Sequence, residues 1–201
     1  MTLISNEMQI QAPGALQAFV TPAIHIVDES AADVHARESL LDEAFGAARF
    51  EKTAQRLRDS RLPAPGLALA AKDGDALVGT LRMWSIEAGG VPALLLGPLA
   101  VAKSCRSRGV GRRLMAEALF RAFVAGHKAI LLVGDAPYYE PFGFTRRHTV
   151  DLSLPGPVDE GRFLGLEIEK GALTEAKGLV KATGALDLLA HRSAPEYRYA
   201  A

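Results

Sequence analysis

The sequence predicts a mixed α/β fold built on one sheet, and two observations carry that expectation. Residues 93–133 read as strand, helix, strand, the unit that sets two strands parallel once a helix has carried the chain back across the sheet. Ahead of it, two apolar runs flank Asp73-Gly74-Asp75, the composition of a tight hairpin turn, which adds an antiparallel pair. A chain of 201 residues with 49% hydrophobic content can bury one core and falls near the usual one-domain size.

A first strand is expected from Ala23 to Asp28. Ser30 then stands as N-cap of a helix over about Ala31–Phe45, with Glu29 and Asp33 near its positive end. A second helix is expected over about Phe50–Ser60, closed by Pro63 and Pro65. Leu67–Ala71 and Ala76–Ile86 form the hairpin, and Glu87–Pro92 the next turn. In the strand from Ala93 to Val101, Pro98 has no N–H to give a ladder, so pairing should break or bulge near Gly97-Pro98. The next helix starts at Gly109 and stops at Gly126. Its apolar stripe is Val110, Leu114, Met115, Ala118, Leu119, Ala122 and Phe123, with Arg113, Glu117 and Arg121 away from it. Strand Ala129–Val133, a short helix at Tyr138, and strands near Thr145–Leu152 and Gly165–Glu169 complete the sheet.

Lysine plus arginine and aspartate plus glutamate each number 23, so bulk charge favours neither a nucleic-acid nor a membrane-surface partner. The single Cys105 excludes an internal disulfide framework, and no apolar run is long enough to span a bilayer. Residues 1–21 lack a basic stretch and contain Glu7, so they read as an N-terminal extension and not a secretory signal; the cytoplasm is the expected location. None of the five histidines is spaced with another histidine or with Cys105 as metal ligands are, and no metal is expected.

Against this neutral background, the arginines of Leu96–Leu114 stand out, where an apolar strand runs into an Arg/Gly loop that opens a helix. The first turn of a helix leaves N–H groups unpaired and carries partial positive charge, which suits an anion. Gly109 and Gly111 let the backbone approach it, while Arg106, Arg108, Arg112 and Arg113 supply donors that fork onto phosphate oxygens. The spacing Arg106-x-x-Gly109-x-Gly111 lacks the Gly-Lys-Ser/Thr ending of a nucleotide P-loop and the first glycine of a dinucleotide turn. Cys105 lies in the same loop and reads as a small packing residue before it reads as a nucleophile.

A second block, Ala129 to Phe144, ends a buried strand at Gly134 and delivers Tyr138 and Tyr139 ahead of Phe142-Gly143-Phe144. Together the two blocks resemble the GNAT superfamily of acyl-CoA-dependent N-acyltransferases. The first matches that family's coenzyme motif of Arg or Gln, any two residues, Gly, any residue, then Gly or Ala. The wording Gly134-Asp-x-x-Tyr-Tyr-x-x-Phe-Gly-Phe144, followed by Leu154-Pro-Gly-Pro157, is similar to the YhbS-like branch of predicted acetyltransferases. The resemblance covers about residues 22–172, the expected domain, and leaves 173–201 as a C-terminal extension that packs on it or at a chain interface, a homodimer being one such arrangement.

The resemblance implies a central, largely antiparallel mixed sheet flanked by helices, whose crossover binds acetyl-CoA. The backbone of Leu99, Ala100 and Val101 would meet the pantetheine arm, and Arg106, Ser107, Arg108, Gly109, Val110, Gly111 and Arg112 the pyrophosphate. The implied reaction is direct attack by a primary amine of a small molecule or protein on the acetyl thioester, with Tyr139 protonating the departing thiolate. A core tyrosine bonded to a backbone carbonyl is the structural alternative for Tyr139. The base is left open among Glu87, Glu43, Glu51, Asp135 and a water relay; Asp135 reads first as N-cap of the short helix. Phe45–Glu51, Glu87–Pro92 and Pro155–Gly165 would shape the acceptor site. A non-catalytic acyl-CoA-binding or regulatory module of the same fold is the alternative function.

Overall fold

Near-continuous apolar runs place β4 (Val91–Val101) and β5 (Ala129–Val133) at the centre of the sheet in the computed structural model, which describes residues 24–188. The strand start at Ala23, the extension over 1–21 and Leu189 onward lie outside the described residues. Along β4 and β5 successive residues alternate between two cores. Leu94, Leu96, Ile130 and Leu132 face one, while Ala93, Leu95, Ala129 and Leu131 face the other.

The other strands are β1 (His25–Asp28), β2 (Ala68–Asp73), β3 (Ala76–Ala88), β6 (Leu152–Ser153), β7 (Phe163–Glu167) and β8 (Gly178–Ala182). The order β1-β2-β3-β4-β5-β7 is antiparallel except where β4 meets β5 in parallel. The 13-residue β3 outruns β2, and β8 pairs with its free end, Ile86 opposite Ala182. Val180 of β8 is buried, whereas Leu179, Leu186 and Leu188 are exposed.

The expected first helix forms as one 3-10 turn at Ala31–Asp33 followed by α1 (Val34–Phe45). Ser30 and Asp33 make a reciprocal capping box, with Ser30 N and Oγ donating to Asp33 Oδ2 at 2.8 and 2.7 Å. Glu29 is not at the helix end as expected. Its carboxylate is buried between Arg37 and Arg82, with Arg82 Nε donating at 2.8 Å. Lys72 Nζ lies 2.8 Å from Asp33 and, with Ser30, lowers the Asp33 pKa from 3.8 to about 2. A depressed folded-state pKa stabilises above the unfolded value of 3.8, and this contribution is lost as pH falls through about 2. Asp33→Asn should therefore cost about 1–2 kcal/mol at pH 7, and the deficit should shrink towards pH 2 in urea melts. A deficit independent of pH would contradict this role.

The expected helix over Phe50–Ser60 is broken into a 3-10 turn at Ala47–Phe50 and the single-turn α2 (Thr53–Arg56). Tertiary contacts override helical propensity here, because the buried Thr53 hydroxyl donates to the Pro157 carbonyl and Lys52 is extended at φ −64°, ψ 136°. Thr145–Leu152 is likewise not a strand. Thr145 bridges only to Gly165, Arg146–His148 is a 3-10 turn, and β6 is two residues long. The Thr149 hydroxyl donates to the Phe163 and Arg146 carbonyls at 2.6 and 3.0 Å, a local alternative to the ladder. The last expected strand ends earlier, at Glu167, because its carboxylate turns to accept from Gly171 N and Leu173 N at 2.8 and 2.9 Å.

α3 (Val110–Val124) buries Val110, Leu114, Met115, Ala118 and Ala122 on the sheet. Phe123 is not in the stripe; it is 65% exposed, with Phe120 and Val124 beside it in sequence also exposed. At 100° per residue Phe123 falls roughly 140° round the helix from Ala118, off the buried face. The short helix α4 (Ala136–Tyr139) follows β5 directly.

Candidate functional site

Pro98 breaks the β3–β4 ladder as its missing N–H requires. Leu81 faces Leu99 and Met83 faces Leu96, so Gly97 and Pro98 together oppose Arg82 alone. Trp84 Nε1 takes the Gly97 carbonyl at 2.6 Å. On its other side β4 pairs with β5 only at Leu94–Ile130 and Leu95–Leu131. Beyond Leu95 the two strands part, and the β5-facing edge of Leu99, Ala100 and Val101 carries no strand. A cleft of about 900 Å³ opens in this wedge, lined by Leu96–Val101, Val133–Asp135, both tyrosines of α4 and side chains from α1, α2 and the 157–162 loop.

A second depression of about 450 Å³ continues from the first at Val101, Arg106 and Tyr138. It is lined by Arg106, Ser107, Gly109, Val110, Gly111 and Arg112 at the start of α3. Positive φ at Ser107 (63°) and Gly109 (76°) curls this backbone. Among the described residues no acceptor takes the N–H of any residue from Ser107 to Arg112; the first helical bond is Arg113 N to Gly109 O at 3.0 Å. Arg112 has no salt bridge, and Arg106 makes only a 3.4 Å contact with the Val101 carbonyl. Six consecutive free amides and two uncommitted guanidiniums are the donors that an anion would need here.

Two arginines of the expected phosphate set point elsewhere. Arg108 lines neither depression, its guanidinium lying 3.5 Å from Asp73 and 3.5 Å from Cys105 Sγ. Arg113 donates to the Ile24 carbonyl at 2.6 Å and so ties α3 to the start of β1. Cys105 is buried.

Two glycines are fixed by the tyrosines of α4. A Cβ at Gly134 would stand 2.2 Å from Cε2 of Tyr139, so the edge of that ring lies against the residue that ends β5. A Cβ at Gly111 would stand 2.6 Å from the Tyr138 hydroxyl, which therefore spans from α4 to the start of α3. The Tyr138 and Tyr139 rings meet edge-on at 4.9 Å, and Phe144 backs Tyr139 at 6.0 Å. The Tyr139 hydroxyl has no hydrogen-bond partner among the described residues, so no backbone carbonyl holds it as in an ordinary core tyrosine. Burial, with smaller contributions from Tyr138 and Asp135 and against Arg162, pushes its pKa up to about 12.

The candidate bases are dispersed. Glu51 and Asp135 line the cleft; Glu43 does not and pairs with Lys103 at 3.3 Å. Glu87 lies at the opposite end of the strands, 3.7 Å from Lys181 of β8, so the 87–92 turn does not shape the cleft. Asp135 occupies the N-cap position of α4, but its side chain makes no cap bond and pairs instead with Arg162 at 3.1 Å. No group of three or more His, Cys, Asp and Glu gathers as metal ligands among the described residues, and none of their helices is long and apolar enough to cross a membrane. Sequence reasoning missed the cations Lys52, Arg58 and Arg162 of the cleft wall. They sit in the expected Phe50–Ser60 helix and the expected Pro155–Gly165 loop, and no spacing marked them.

Residues 34–144 match the profile of the Acetyltransferase (GNAT) family. Over 146 residues the chain is 28% identical to the uncharacterized N-acetyltransferase YhbS of Escherichia coli (strain K12), covering 72% of this chain and 87% of that protein. The crystal structure of the GNAT family N-acetyltransferase YhbS from Escherichia coli, in complex with CoA, superposes with a TM-score of 0.68 at 27% identity, covering 80% of this chain and 89% of that one. A GNAT family acetyltransferase from Brucella melitensis, solved in complex with acetyl-CoA, shares the fold with a TM-score of 0.57 at 22% identity, over 73% of this chain and 89% of that one. A parted β4–β5 pair with an amide socket at its mouth thus lies within a matched family region, and the chain belongs to the GNAT family of acetyltransferases.

Proposed function

We propose that the protein transfers an acetyl group from acetyl-CoA to a primary amine, with Tyr139 as general acid. The observation that carries this reading is the run of six free amides at Ser107–Arg112, whose depression adjoins, at Val101, Arg106 and Tyr138, the larger cleft that holds a phenol without a hydrogen-bond partner at Tyr139. The free edge of β4 at Leu99–Val101 takes the pantetheine arm as an added strand. The amides, with Arg106 and Arg112, hold the pyrophosphate. The complex of YhbS with CoA supports the same ligand here.

In the reaction the amine nitrogen attacks the thioester carbonyl carbon and the carbon–sulfur bond breaks. The thiolate takes its proton from Tyr139, which is regenerated from solvent. The amine proton passes to water in the open cleft, whose walls carry the carboxylates of Asp135 and Glu51. A phenol titrating near 12 stays protonated across the working range. The rate should therefore rise with pH as the amine deprotonates and show no descending limb up to about pH 10. A fall in kcat with an apparent pKa below that point would contradict Tyr139 as the acid. The function itself is tested by thiol release from acetyl-CoA across a panel of amines. Coenzyme binding without thiol release would favour the binding-module alternative.

A further inference from the structure

We propose that the acceptor amine carries an anionic group, a carboxylate or a phosphate, that seats on Arg58 with Lys52 beside it. The inference rests on the acyl-transfer reading above and names the acceptor's chemical class. Arg58 is half-buried in the cleft wall just beyond α2, and its only side-chain hydrogen bond among the described residues runs from Nε to the Ala54 carbonyl at 3.1 Å. Neither Arg58 nor Lys52 has a salt bridge; Lys52 Nζ rests 4.9 Å over the Phe45 ring. The other cations on this wall are committed, Arg49 to Glu38 and Asp42 at 2.5 and 2.8 Å and Arg162 to Asp135 at 3.1 Å.

The one attractive charge near Arg58 is Asp59, whose carboxylate accepts from Gln55 Nε2 at 2.7 Å and makes no salt bridge with it, so the cost of desolvating the guanidinium is only partly offset and a ligand's anion would relieve it. Burial holds Arg58 down at about 10, and burial together with Arg162 and Arg58 depresses Lys52, so these cations crowd one another. Their platform is fixed: Thr53 donates to the Pro157 carbonyl, and Arg56 Nη1 to the Pro155 carbonyl at 2.7 Å. The anion in question is not the coenzyme pyrophosphate. Arg58 and Lys52 line only the larger depression, whereas the free amides line the smaller. Leu41, Ala44 and Phe45 flank the same cleft and suit a short methylene chain between amine and anion.

The test compares ω-amino acids with matching alkylamines, and phosphoethanolamine with ethanolamine, as acceptors at saturating acetyl-CoA. An anionic acceptor should be preferred at least tenfold in kcat/KM, and the phosphate and carboxylate arms identify which anion is used. Arg58→Gln should bring that ratio close to one through KM, Arg58→Lys should restore part of it, and Lys52→Gln should lower it about threefold. Acetyl-CoA affinity reports whether each variant is folded. A neutral or cationic acceptor preferred by the wild type, or an anion preference untouched in Arg58→Gln, would overturn the proposal. Titration of the CoA-bound protein with the N-acetylated acids and their amides needs no turnover. Equal affinity for acid and amide also overturns it, while failure of every amine to react with Arg58-dependent acid binding intact counts against the transfer reaction alone.

Discussion

Tyr139→Phe is expected to lower kcat on the order of 10²-fold while leaving acetyl-CoA affinity and thermal stability near wild type. The magnitude is that of losing one positioned general acid. The selectivity follows from the environment of the hydroxyl. Because it has no hydrogen-bond partner among the described residues, removing it orphans no buried donor or acceptor. The ring, which covers Gly134 and packs against Phe144 at 6.0 Å, is kept by phenylalanine. Single-turnover kinetics with matched isothermal titration separates the two effects. Equal loss of affinity and rate would assign Tyr139 a packing role, and an unchanged rate would move the acid elsewhere, Tyr138 being the neighbouring phenol in the same cleft.

Gly111→Asp is expected to weaken acetyl-CoA binding by about 10²-fold or more without unfolding the protein. Its Cβ would stand 2.6 Å from the Tyr138 hydroxyl, and its carboxylate would occupy the socket where the pyrophosphate is to sit. The same charge lies in the first turn of α3, where an acidic residue favours the helix by a few tenths to about 1 kcal/mol. Stability and affinity should therefore move apart. Thermal denaturation with titration calorimetry checks this, and a variant that melts early and binds weakly in proportion would show that Gly111 serves the fold and not the ligand.

The fold was readable where local chemistry and tertiary demand agree. The Asp73-Gly74-Asp75 hairpin, the stripe of α3 and the bulge at Pro98 each follow from a periodicity or a missing donor that no distant contact opposes. It was not readable where a hydroxyl or a carboxylate makes a better tertiary bond than the ladder or helix offers. Thr53 and Thr149 bond to the distant Pro157 and Phe163 carbonyls and Glu167 to the following Gly171 and Leu173 amides, and each interrupts an element that propensity alone would continue. In β8 the reason differs, since Val180 is its single fully buried apolar residue and the strand exists because β3 outruns β2.

The site divides along the same line. The socket at the start of α3 depends on consecutive residues and is written in the chain as Arg106-x-x-Gly109-x-Gly111. Arg108 and Arg113 look equivalent to Arg106 and Arg112 in sequence, but Asp73 and the Ile24 carbonyl, both remote in the chain, draw them away. The far wall of the larger cleft is assembled from α1, α2 and the loop before β7, with charges that become neighbours only on folding. Its chemistry therefore had no local signature.

A crystal structure with a non-hydrolysable acetyl-CoA analogue would show directly whether the coenzyme follows this path. The expected result has pyrophosphate oxygens within hydrogen-bond distance of the amides of Ser107–Arg112, the pantetheine amides paired with the free edge of β4, and the thioester position within reach of the Tyr139 hydroxyl. An analogue bound outside the wedge, or one seated in it with its acyl end directed away from Tyr139, would contradict the coenzyme path and the role of Tyr139.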